Sequence, residues 1–180
     1  MKQLLIFILF TSTLFAQNKN EIDRELISFS LNEIAMLNLA PDNNTVFLNL
    51  NSPSQPGDPV SFTSTNNSKW VNFTSALAEG SPNRNLYVKI ENGTIPSGLN
   101  LKLDISNYSG NGNGQLGTKT GTLILNSNNQ AIVSNIGGAY TGYGSNNGYK
   151  LTYFLEITDY ELLNIDNSEV LTISLTLTDF

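Results

Sequence analysis

The sequence predicts an all-β protein, an antiparallel β-sandwich of the immunoglobulin-like or jelly-roll type with about ten strands. Three observations carry this expectation. Apolar residues recur at every second position through most of the chain beyond residue 26, the period of a strand with one buried face. Clusters of Gly, Pro, Asn and Ser break these runs at short intervals, as tight connections between strands require. Helix signals are weak throughout. Many short strands with one apolar face each are satisfied by packing two antiparallel sheets face to face.

The strands are read in order. Ile27, Phe29 and Leu31 alternate with serines, followed by Val46, Leu48 and Leu50, and then by Val60 and Phe62 after Pro59. Trp70, Val71 and Phe73 make a less regular run, in which Trp70 reads as a plug of the core. Leu86, Val88 and Ile90 alternate cleanly, as do Leu99, Leu101, Leu103 and Ile105. Residues 123–125 and 131–133 are short apolar runs. Leu151, Tyr153, Leu155 and Ile157 form one late strand, and Leu171, Ile173, Leu175 and Leu177 form the last. Residues 21–26 and 34–39 could each make a helical turn or two. "TDYELLN", starting at Thr158, has a capping Thr or Asp before Glu161 and predicts one short helical turn.

The first residues, MKQLLIFILFTSTLFAQ, set Lys2 before an apolar stretch at 4–15 and end at the small residue Ala16. This is the pattern of a secretory signal peptide, too short to span a bilayer comfortably. The expected organisation is a signal peptide over 1–16 and a single β-sandwich domain over 17–180, with no transmembrane segment. The product is exported: to the cell surface, the periplasm or the medium.

Composition narrows the function classes. The net charge is −6, and removal of Lys2 makes it one unit more negative, which argues against nucleic acid and anionic membranes as partners. With no Cys, there is no disulfide and no thiolate metal site. With no His, the usual general base, the Ser-His-Asp arrangement and histidine metal sites are all missing. The acids are scattered, and no spacing singles out a pair for glycoside hydrolysis. Asp159, Glu161, Asp166 and Glu169 are the densest group and read as a solvated acidic turn rather than a Ca²⁺ site. No enzyme, no cofactor and no metal are expected.

Gly112, Gly114 and Gly117 spell G-x-G-x-x-G, the spacing of a dinucleotide-binding turn. Such a turn needs a helix opening at its last glycine to face the pyrophosphate. Here TKTGTLIL follows, a strand-like run. The segment is expected to be a hairpin loop joining the strand at 99–105 to the one at 122–125.

A second Gly-rich segment, "NIGGAYTGYGSNNGYKLTY", spans 135–153. Its Tyr140, Tyr143 and Tyr149 are the candidate ligand-binding residues. A tyrosine ring stacks on apolar C–H groups of a sugar while its hydroxyl hydrogen-bonds. The alternative is an aromatic-lined loop packing on the sandwich edge.

The C-terminal stretch "GYKLTYFLEITDYELLNIDNSEVLTISLTLTDF" resembles the closing strands of exported bacterial surface sandwiches, WxL-like domains and some fimbrial-type subunits. The W-x-L signature itself is absent, since Trp70 is followed by Val71 and Asn72. The resemblance implies a surface-exposed structural or adhesive role. Its partners would be other surface proteins or further copies of the chain, joined when an extended N-terminal segment completes a neighbour's sheet. Ile27, Phe29 and Leu31 are the candidate subunit contacts, the alternative being that they pair within their own domain. A carbohydrate-binding module using the tyrosine loop, with glycans as partners, is the other functional reading.

Overall fold

The computed structural model describes residues 25–41, 45–65, 68–163 and 169–178. The expected signal peptide, Asp42, Asp166 and Asp179 lie outside the described residues. The chain divides into two compact units, 1–30 and 31–180. In the first, the described residues 25–30 are exposed and form no strand. All the strands belong to the second.

Alternation of apolar and polar residues produces an all-β, sandwich-like unit, and no helix forms among the described residues. The strands are β1 (Ile34–Ala40), β2 (Phe47–Asn51), β3 (Ser61–Thr65), β4 (Ser68–Ala76), β5 (Arg84–Asn92), β6 (Leu99–Ile105) and β7 (Asn113–Gly114). They continue with β8 (Thr118–Lys119), β9 (Leu123–Ile124), β10 (Gln130–Ile136), β11 (Ala139–Tyr140), β12 (Tyr149–Ile157) and β13 (Thr172–Thr178). The larger sheet is organised around β4. Strand β1 pairs with β4 along its whole length on one side. On the other side, β12 takes Ser68–Val71 and β11 takes Thr74 and Ser75. The sheet continues from β12 through β6 to β9, and from β11 to β7. The second sheet runs β13-β5-β10-β8, and β2 and β3 form a separate antiparallel pair. Every pairing is antiparallel.

The core lies between the two main sheets. Val71 and Phe73 of β4, Leu101, Leu103 and Ile105 of β6, and Leu151 and Tyr153 of β12 meet Leu86, Val88 and Ile90 of β5 and Ile132, Val133 and Ile136 of β10. The side chains of β1 and β13 that pack against this core, Leu37, Leu39, Ile173, Leu175 and Leu177, are only half-buried. Among the described residues, each of these two strands pairs with a neighbour on one side only, and they lie close to each other.

Several expectations are corrected. Residues 34–39, read as a helical turn, form most of β1, because seven residues pair in register with β4 and this places Leu37 and Leu39 on the core. The run at 27–31, expected to be a strand, is not one. Trp70 is not a core plug. It alternates with Val71 and Phe73, lies on the opposite face of β4 and stays half-buried. The connection from β6 to β9 is not a plain hairpin loop. The two strands do pair, Leu103 opposite Leu123, but the chain between them lays β7 on the first sheet and β8 on the second. Residues 158–163 make a turn rather than a helix, with the Leu163 amide donating to the Tyr160 carbonyl at 3.3 Å and the Glu161 amide to Asp159 Oδ1 at 2.9 Å. No helix among the described residues is long and apolar enough to cross a membrane.

One charged side chain closes the end of the sandwich. Arg84, at the start of β5, is buried and reaches across to the first sheet. Its Nη1 donates to the Ile34 carbonyl, to Ser75 Oγ at 3.2 Å and to the Ala76 carbonyl at 3.3 Å. Its Nη2 donates to Glu33 Oε2 at 3.4 Å. The other Glu33 oxygen accepts from the Ala78 amide at 2.8 Å and from the Ser81 hydroxyl.

Candidate functional site

The two glycine-rich segments singled out in the sequence come together on the outer side of β4. Their contact begins in the backbone. β7 pairs with β11, and β11 with β4, so that Asn113, Tyr140 and Thr74 stand in one cross-strand row. Met36 of β1 continues the row on the far side of Thr74. So close an approach requires glycine. A Cβ on Gly112 would stand 2.1 Å from the Tyr140 carbonyl oxygen, and one on Gly114 2.1 Å from that of Gly138. The G-x-G-x-x-G glycines thus face carbonyl oxygens, which repel an anion, and the chain after Gly117 enters β8 rather than a helix. The motif is a packing device.

Side chains then lock the segment after β11 in place. The Thr141 amide donates to the Phe73 carbonyl at 3.0 Å, and Thr141 Oγ1 accepts from the Phe73 amide at 2.9 Å. Asn72, buried on the outer face of β4, accepts from the Gly144 amide at 2.8 Å and donates to the Gly144 carbonyl at 3.2 Å. Asn147 Nδ2 donates to the Tyr143 carbonyl at 2.9 Å, and its Oδ1 accepts from the Asn111 amide at 3.3 Å. Tyr108 bridges the two segments. Its hydroxyl donates to the Thr141 carbonyl at 3.1 Å and accepts from the Gly112 amide.

The three candidate tyrosines are not equivalent. Tyr140 is 50 % exposed and Tyr143 is 78 % exposed. Tyr149 is 2 % exposed and belongs to the core. Its ring stacks on Phe73 at a centroid distance of 6.3 Å and meets the edge of Tyr108 at 5.9 Å, while its hydroxyl donates to the Leu116 carbonyl at 3.1 Å. Burial, and after it the neighbouring Tyr108, raise its pKa. The expectation of a three-tyrosine platform is corrected on this point: Tyr149 is buried in the core, and of the three only Tyr140 and Tyr143 are open to solvent. The signal was in the sequence, because Tyr149 stands two residues before Leu151 and shares its face.

A shallow groove of about 360 Å³ lies beside Tyr140. Thr74, Asn113, Gly138 and Tyr140 form its walls together with Ser75, Gly114 and Ala139, and no charged side chain lines it. Tyr143 does not line it. Among the described residues, no group of three acidic, His or Cys side chains comes together that could hold a metal ion.

The candidate subunit contacts lie elsewhere. Ile27 is exposed, as are Phe29 at 84 % and Leu31 at 94 %. Leu26 beside them is equally open, and none of the four belongs to a strand.

The fold and the site define an all-β, sandwich-like protein with one glycine-locked outer face. No family model, no curated protein and no solved structure matches this chain.

Proposed function

We propose that this chain is an exported surface protein with a structural or adhesive role, whose copies join through residues 26–31. The carrying observation is the exposure of Ile27, Phe29 and Leu31 in an alternating run that forms no strand. A period-2 apolar run is made to cover a sheet, and such a run left in water is a strand lacking its sheet.

The second unit offers an acceptor of matching chemistry. Among the described residues, β1 and β13 each lack a neighbour on one side, and their core-facing Leu37, Leu39, Ile173, Leu175 and Leu177 are half-buried. A strand from a second copy, added along this seam, gains main-chain hydrogen bonds from the open edge and buries both sets of apolar side chains. The apolar stretch at 4–15 followed by Ala16 supports export. The missing His and Cys support a role without catalysis.

Light scattering on the protein recovered after export, across a concentration series, tests the reading. Mass that grows with concentration, and falls to that of one chain in Phe29→Ser/Leu31→Ser, is the expected result. A single-chain mass at every concentration sinks the assembly reading.

A further inference from the structure

We propose that the groove beside Tyr140 binds a neutral saccharide, held by the row Thr74–Tyr140–Asn113. This inference is independent of assembly through residues 26–31, and it rests on three observations.

The first is register. Thr74 pairs with Tyr140, and Tyr140 with Asn113, so three neighbouring strands bring these side chains side by side at the groove. The second is polarity left unused. Among the described residues, the Thr74 hydroxyl, the Tyr140 hydroxyl and the Asn113 Nδ2 make no hydrogen bond within the protein, and the Tyr140 and Asn113 side chains are exposed where a ligand can reach them. Asn113 Oδ1 does have one, the Gly114 amide at 2.7 Å, and this fixes the amide group of the side chain. A half-exposed ring flanked by a hydroxyl and an amide suits a pyranose: apolar C–H groups against the ring, hydroxyls exchanging hydrogen bonds at its rim.

The third is Gly138. Most glycines of this face have positive φ or would drive a Cβ into backbone. Gly138 has neither constraint: it lacks a left-handed φ, and a Cβ there would meet no atom within 4 Å. It stands in the groove wall, exposed, where any side chain would occupy the space a ligand needs.

The chemistry selects the ligand. With no charged side chain in the lining, nothing compensates the desolvation of a charged sugar, so a neutral saccharide is favoured over a uronic or sialic acid. A peptide strand is the weaker occupant. The outer strand here is β7, only two residues long, and the Gly114 amide already serves Asn113. A volume of about 360 Å³ is at the small end for ligand sites.

The test uses the exported protein on an array of neutral gluco-, galacto- and manno-oligosaccharides beside sialylated and uronic chains, followed by titration of the best neutral hit. Four variants are compared: Tyr140→Ala, Thr74→Val, Gly138→Leu and Tyr143→Ala. Binding of a neutral chain is expected, weakened about tenfold or more in the first three and kept in the fourth. Gly138→Leu is the sharpest variant, because it fills the groove without straining the backbone, and its unchanged melting temperature shows that the fold is intact. Binding only of acidic chains, binding to no neutral chain, or a loss in Tyr143→Ala but not in Tyr140→Ala or Gly138→Leu overturns the proposal. The mass of the protein is read in the same samples, so that loss of assembly and loss of saccharide binding are scored separately.

Discussion

Arg84 Nη2 stands 3.4 Å from Glu33 Oε2, and through this pair the second sheet holds the start of the first. The arginine is buried on β5, whereas the glutamate lies just ahead of β1 with its side chain 34 % exposed. The guanidinium also serves the backbone of both β1 and β4, at Ile34 and Ala76. Edge strand β1 is thus fixed at its first residue by a charge donated from the opposite sheet.

Arg84→Ala should therefore lower stability by about 3 kcal/mol, since it removes a buried guanidinium that donates to Ser75 Oγ and to the part-buried Ile34 and Ala76 carbonyls, and leaves Glu33 without its cation. Glu33→Gln keeps an acceptor for Ala78 and Ser81 but leaves the buried guanidinium without its anion, and should cost about 1–2 kcal/mol. Urea unfolding of both variants measures the difference. Equal midpoints for wild type and Arg84→Ala would show that the clasp contributes nothing.

Gly148 and Gly121 should respond in opposite ways to the same substitution. Gly148 has φ +89°, and its Cβ would stand 2.0 Å from the Val71 carbonyl oxygen, just ahead of the pairing of β12 with β4. Left-handed strain of about 1–2 kcal/mol adds to the displacement of that strand, so Gly148→Ala should cost about 3 kcal/mol or more. Gly121 has open space at its Cβ and no positive φ. Gly121→Ala should leave stability unchanged or raise it by about 0.5–1 kcal/mol through the unfolded chain. Thermal melts of the pair decide, and a similar loss in both would sink the argument.

Asn72→Ala should free the segment that carries Tyr143. The Asn72 amide pairs with both backbone groups of Gly144, and no other contact described ties that residue to β4. The expected cost is about 1–3 kcal/mol, the penalty for stranding buried polar groups. The Gly144 amide should exchange with deuterium much faster in the variant, while amides in the middle of β6 and β12 keep their protection. Unchanged exchange at Gly144 would show that the turn holds itself.

The strands were legible wherever one face is apolar and the other polar. Leu99, Leu101, Leu103 and Ile105 mark β6 because all four face one side. β1 was not legible, because Ile34, Met36, Leu37 and Leu39 fit a helical turn as well as a strand, and only pairing with β4 decides. Trp70 misled because it adjoins Val71, and two large apolar neighbours hide which of them faces inward. The glycine motif was legible as a negative: no helix signal follows it. The site itself was largely hidden. Which of several Asn residues pins a turn depends on the distance between β4 and residues 141–148, and Thr74 and Asn113 acquire meaning only from register. Arg84 carried no signal, since a lone charge at a strand start is ordinarily solvated.

Alkaline pH should weaken the fold through its buried tyrosines. Burial pushes the Tyr153 hydroxyl up to about 12 from 10.0, and raises Tyr149 as well. The linkage has a definite sign. Between about pH 10 and about pH 12 the folded state keeps the Tyr153 proton that the unfolded state has lost. The stability contributed by the neutral ring is thus complete below about pH 10 and is lost as pH rises through about 12. Guanidinium unfolding at about pH 9 and about pH 11 should show a lower midpoint at the higher pH, with part of the drop removed in Tyr153→Phe, which cannot ionise. If Tyr153→Phe kept the full drop, other groups would be responsible for the alkaline loss.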